Sequence, residues 1–139
     1  MKRLMPAVGA TFITWVILDF VIHGMILQST YQATDQLWRP MEETKMGLMY
    51  VVTALSALAF AGIYYALVAE KSIASGVKYG ILFGIAIGFP MGFGSYCVMP
   101  IPLHLAVVWF VGSLVETTVA GILVGAIIKT TDIPCTVSA

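Results

Sequence analysis

Charge is what this chain has least of. Only 10% of its residues are charged, with Lys+Arg and Asp+Glu equal at seven apiece. A soluble domain carries about 25% charged residues. The zero net charge excludes nucleic acid and other polyanions as expected partners. No long polar stretch exists that could form a separate catalytic domain. The residues show no nucleophile–base arrangement, no phosphate loop and no metal motif, so no enzyme is expected. Cysteine is also scarce: Cys97 and Cys135 are the only two. They fall at opposite ends of the last apolar stretch. Their α-carbons therefore cannot come within the roughly 7 Å that a disulfide needs. Two separated cysteines equally make no zinc site.

What remains is apolar. Hydrophobic residues make up 60% of the chain, and the mean hydropathy is +0.96. A membrane helix needs about 20 consecutive apolar residues. Four segments qualify, at 6–27, 46–69, 76–98 and 103–129. The expected fold is all-α, one four-helix transmembrane domain over 1–139. The two later connections are only about six and four residues long, which forces antiparallel neighbours and an up-down bundle. Met1-Lys2-Arg3 before an apolar run resembles a signal peptide. However, Asp19 and His23 lie in that run and no small-x-small site follows it. It reads as an uncleaved first helix.

Positive charge sets the orientation. Lys2, Arg3, Lys71, Lys78 and Lys129 fall on one side of such a bundle, Arg39 and Lys45 on the other. Both termini are expected in the cytoplasm, with the protein in a bacterial inner membrane and the lipid bilayer as its first partner. The 28–45 connection mixes Tyr31, Leu37, Trp38 and Met41 with polar residues. That mixture suits an interfacial segment with an aromatic belt.

Glycine, by contrast, is abundant and ordered. Gly76, Gly80, Gly84, Gly88 and Gly92 recur at strict four-residue spacing in the third segment. Each costs a helix roughly 1 kcal/mol relative to alanine in water. In lipid the helix forms regardless, and a glycine face admits a close neighbour. Gly121 and Gly125 form a second small-xxx-small pair in the fourth segment. If the fourth helix fills the ladder, the ladder is internal; if not, it is a docking face for another protein. Pro90, among Gly88, Gly92 and Gly94, interrupts the backbone ladder and is expected to bend the third helix.

Ionisable residues inside a span cost at least about 2.5–3.5 kcal/mol near its centre and mark candidate sites. Three occur: Asp19 and His23 in the first segment and Glu116 in the fourth. Asp19 and His23 are four apart, hence on one helix face. A carboxylate there can orient the imidazole. Asp19 and Glu116 fall at similar depth, so if the two helices touch, the carboxyls could share a proton. Ser113, Thr117 and Thr118 add hydroxyls near Glu116, and Thr53 and Ser56 near mid-depth of the second segment. An outer-half pocket of His23, Tyr96 and His104 is a further candidate. Haem held between His23 and His104 is disfavoured, because at 1.5 Å per residue their depths differ by about 10 Å. No resident cofactor is expected; haem or quinone would be the candidates.

Several stretches carry a family resemblance: Asp19-Phe20-Val21-Ile22-His23-Gly24, Leu37-Trp38-Arg39-Pro40, Tyr79-Gly80, Pro100-Ile101-Pro102, and Trp109-Phe110-Val111-Gly112 through Glu116. In these the chain resembles a loosely defined set of small bacterial four-helix membrane proteins of unknown function. The resemblance spans nearly the whole chain and implies a fold but no activity. The leading expectation is a small non-enzymatic membrane protein, an accessory subunit packing through its glycine faces against other subunits or a second copy. Two others stand beside it: proton conduction or proton-coupled transport through Asp19, His23 and Glu116, and binding of haem, quinone or lipid.

Overall fold

A computed structural model describes residues 2–129, and Cys135 lies outside them. The described residues are helical with no strand. Four helices are long and apolar enough to cross a membrane: α1 (Leu4–Ile26), α3 (Met46–Leu67), α4 (Ile73–Val98) and α5 (Leu103–Ile127). A short helix, α2 (Gln28–Ala33), follows α1. Single 3-10 turns at Asp35–Leu37 and Met41–Glu43 complete the connection to α3.

The helix boundaries have local causes. Pro6 sits in the first turn of α1, where its missing N–H removes no bond. α4 starts at Ile73, three residues before the apolar run suggests, because the Ser72 hydroxyl accepts from the Ser75 amide at 3.1 Å. That is an N-cap. α3 stops at Leu67, and its end is capped by a side chain from beyond it. Lys71 is buried at 7% exposure. Its ammonium donates to the carbonyls of Tyr64 (2.7 Å), Tyr65 (2.8 Å) and Val68. The ammonium thereby joins the Val68 amide on the Tyr64 carbonyl and supplies a donor to two further carbonyls at the helix end. Burial pulls the Lys71 ammonium below the ordinary lysine range.

Two of the long helices change pitch. α1 widens to a π-helix over Phe20–Ile26, and α4 does so over Pro90–Gly94. In α4 the cause is Pro90: it has no N–H to return to the preceding turn, and its ring crowds that turn. The strain is relieved by a wider turn.

The closest packing is between α4 and α5. No described glycine has positive φ, so the ladder glycines are required by proximity and not by conformation. A Cβ added to Gly76 would overlap the Gly121 carbonyl, and one on Gly121 would overlap that of Gly76. On Gly84 it would lie 2.9 Å from Leu114 Cα, and on Gly88 2.9 Å from Ser113 Cβ. On Gly80 and Gly92 it would strike the carbonyls of Thr117 and Ala106. Partner numbers fall as ladder numbers rise, so the two helices run antiparallel. The ladder is internal. α1 meets α5 through Trp15, whose Nε1 donates to Glu116 O at 3.1 Å, and through Ile22 against Gly112.

Two apolar clusters result. At the basal end, where Leu4, Leu67 and Ile127 lie, Ala7, Trp15, Phe60, Tyr64, Ala120 and Val124 form the larger one. At the end capped by residues 28–45, Ile22, Leu27, Ile101, Leu105 and Ala106 pack beneath Tyr31, Leu37 and Trp38. α3 belongs to the first cluster alone. Its Ala57, Phe60, Ala61 and Tyr64 are buried, whereas no residue from Met46 to Ser56 is. The first half of α3 therefore stands off the other helices.

Candidate functional site

Where α3 stands off, a cleft of about 330 Å³ opens, lined from all four long helices. Its back wall is α1 and α5. Asp19 sits at the last α-helical residue of α1 and His23 within the π-helical turn that follows. The His23 Nε2 lies 3.7 Å from Asp19 Oδ1. Glu116 reaches in from α5 and lines the same cleft as Asp19. The Oε1 of Glu116 is buried and has no hydrogen-bond partner. Two carboxyls from different helices thus meet in one cleft, beside a single imidazole.

The surrounding hydroxyls contribute less polarity than their number suggests. Thr117 donates to Ser113 O at 2.7 Å, and Thr53 to Met49 O at 3.0 Å. Each therefore satisfies its own helix. Thr118 donates to Leu114 O at 2.6 Å and does not line the cleft. Ser113 is buried, with only the Met91 sulfur, at 4.0 Å, near its Oγ. Ser56 is exposed on the α3 side. Trp15, Phe83 and Trp109 complete the walls with aromatic surface. No Lys or Arg lines the cleft.

The rim is closed by α2. The Tyr31 hydroxyl lies 2.6 Å from His23 Nδ1 and accepts from Trp109 Nε1 at 2.8 Å. Because Trp109 can only donate, the one hydroxyl hydrogen of Tyr31 is left for His23 Nδ1. A neutral imidazole then carries its proton on Nε2, toward Asp19. The second histidine grips the same short helix: His104 Nε2 lies 3.1 Å from Thr30 Oγ1. Trp38 packs edge-on against both Tyr31 and Trp109, and its Nε1 donates to Thr34 at 2.9 Å. Burial pushes the Tyr31 phenol above its ordinary range. Residues 28–38 thus fold as a cap over this end of the bundle.

His23 turns to Tyr31, His104 turns to Thr30, and Tyr96 is exposed on α4. Of these three residues, His23 alone lines the Asp19–Glu116 cleft. Tyr31 and Trp109, expected only as belt and helix residues, join the site through the His23–Tyr31–Trp109 hydrogen bonds. A signal for Trp109 was present: it precedes Glu116 by seven residues, two helical turns, and so shares its face. Tyr31 had no such signal, since its position depends on the fold-back of α2. Among the described residues no group of three or more His, Cys, Asp or Glu is arranged to hold a metal ion. No family model matches the chain, and comparison with curated proteins and with solved structures gave no match.

Proposed function

We propose that this chain is a small integral membrane protein that takes up and passes protons through the Asp19–Glu116 cleft. In this reading α1, α3, α4 and α5 cross the bilayer in alternating directions, in a bacterial inner membrane with both termini cytoplasmic. Hydropathy, the antiparallel registers of α4 on α5 and α1 on α5, and the excess of Lys and Arg at the basal end support that placement.

One observation carries the functional reading. Two carboxyls from separate helices meet in a cleft, and one carboxyl oxygen there is buried without a partner. Like charges so placed cannot both remain ionised cheaply, so the pair accommodates a cation, of which the proton is the simplest. His23, hydrogen-bonded to Tyr31 at the rim, supplies a second proton-exchanging group on the capped side. The glycine ladder is one of three grounds for an accessory subunit, beside small size and the scarcity of polar residues. It is filled by α5, so docking to other subunits or to a second copy would need a different face.

The test is proton flux in liposomes containing a pH-sensitive dye. The wild-type protein should dissipate an imposed gradient faster than empty vesicles. Asp19→Asn and Glu116→Gln should each slow that flux about tenfold or more, the lower range for loss of a positioned proton carrier. Equal flux in both variants and the wild type would remove the proposal.

A further inference from the structure

The shape and lining of the cleft say more than that it holds a proton. Its front edge is formed by Val52 and Ser56 of α3 and by Ile87 and Met91 of α4, all exposed. The opening thus lies on the apolar flank of the bundle, between the free half of α3 and α4. A molecule reaching it would come through the bilayer's own hydrocarbon, which selects for apolar character.

The interior selects for charge of one sign. Asp19 and His23 from α1 and Glu116 from α5 are the ionisable groups facing the cleft; Tyr31 of α2 reaches it through His23, and α3 and α4 present none. An anion would meet two carboxyls, and a neutral apolar guest would leave them unpaired in a dry site. A cation answers both. Trp15, Phe83 and Trp109 line the same space, and aromatic rings attract an organic cation, best where water is absent. A volume of about 330 Å³ holds a guest of about ten non-hydrogen atoms, taking the roughly 30 Å³ that a water occupies as the unit.

We propose that the cleft is a binding site for a small lipophilic organic cation. The guest slips in sideways between α3 and α4, its charged head lies between Asp19 and Glu116, and its apolar body rests against Trp15, Phe83 and Trp109. The inference rests on the proton-handling reading of the same carboxyls: protons and the cation compete for one pair of acids.

Benzyltrimethylammonium is the appropriate probe, because its charge is permanent and any pH dependence belongs to the protein. Neopentylbenzene, its uncharged isostere, is the control. Binding to the purified protein in detergent would be followed by calorimetry and by quenching of tryptophan fluorescence. The ammonium should bind, quench and slow proton flux in liposomes, and its affinity should rise as pH is raised from about 6 to about 8, where fewer protons compete. Ser56→Lys sets an ammonium at the exposed mouth of the cleft, at the cost of a charge midway along α3, so its helical circular dichroism in detergent is compared with wild type before binding is measured. It should weaken binding of the probe about tenfold or more, as a like charge in a low-dielectric site does. Asp19→Asn with Glu116→Gln should abolish binding. Equal affinity for neopentylbenzene, or undiminished binding in Ser56→Lys, would overturn the proposal. Proton flux without any binding would overturn this inference and leave the proton-handling reading standing. Loss of both would end the two together.

Discussion

Gly76 and Gly121 are reciprocal: a methyl group on either would collide with the carbonyl oxygen of the other. Neither helix can retreat alone, because the same relation repeats between Gly125 and Ser72 O, at 2.5 Å from an added Cβ. At this separation the chain gains backbone-to-backbone dispersion and Cα–H···O contacts that larger residues forbid.

Alanine in the ladder should therefore be costly. Gly80→Ala and Gly121→Ala should each destabilise the protein by about 2 kcal/mol, overpacking outweighing the helix propensity that alanine adds. Gly47→Ala and Gly62→Ala, where an added Cβ meets nothing within 4 Å, should be neutral or slightly stabilising. Unfolding in mixed micelles, followed by circular dichroism, makes the comparison. Equal effects in the two sets would contradict the tight α4–α5 contact.

Lys71 should matter more than a surface lysine does. Lys71→Met keeps most of the apolar stem but removes the ammonium that donates to the Tyr64, Tyr65 and Val68 carbonyls, of which Tyr64 retains the Val68 amide. The expected loss is about 2 kcal/mol, in the range for hydrogen bonds to a charged group. Lys45, exposed at the other end of α3, is the comparison site. Amide hydrogen exchange should rise locally over Tyr64–Val68 in Lys71→Met and not in Lys45→Met.

Tyr31→Phe removes one hydroxyl that serves both His23 and Trp109. Docking of α2 should weaken by about 1–2 kcal/mol. Faster hydrogen exchange over residues 28–38 and a red shift in tryptophan emission would report it. Unchanged exchange there would mean that Trp38 and the apolar cluster hold the cap without the hydroxyl.

The cap should also respond to alkaline pH, through the same phenol. Burial raises Tyr31 above the ordinary value of 10.0. The phenol's contribution is therefore complete below pH 10.0 and declines as pH climbs through the higher folded-state value. Tyr31→Phe should reduce the late-titrating part of the phenolate absorbance by one tyrosine. A late component of undiminished amplitude in Tyr31→Phe would contradict the buried setting of this phenol.

The helices themselves were legible one residue at a time. Hydropathy located four long spans whose observed ends differ from the expected ones by three residues or fewer, the largest difference arising at the start of α4, where the Ser72 side chain caps the terminus. Asp19, His23 and Glu116 stood out because ionisable groups are conspicuous in apolar runs. Tyr31 did not, because an aromatic residue in a mixed segment is unremarkable until the segment folds back.

Composition and spacing determined that this chain makes long apolar helices, that one face of α4 is bare, and at what depth each acid lies. Those are local properties, set by residue type and by 3.6-residue periodicity. The tertiary structure decided what fills the bare face, that the first half of α3 stands clear, and that Asp19 meets Glu116 in the space so made. These depend on which helix surfaces fit each other at close range. That fit is a property of pairs of helices, and no single stretch of sequence contains it.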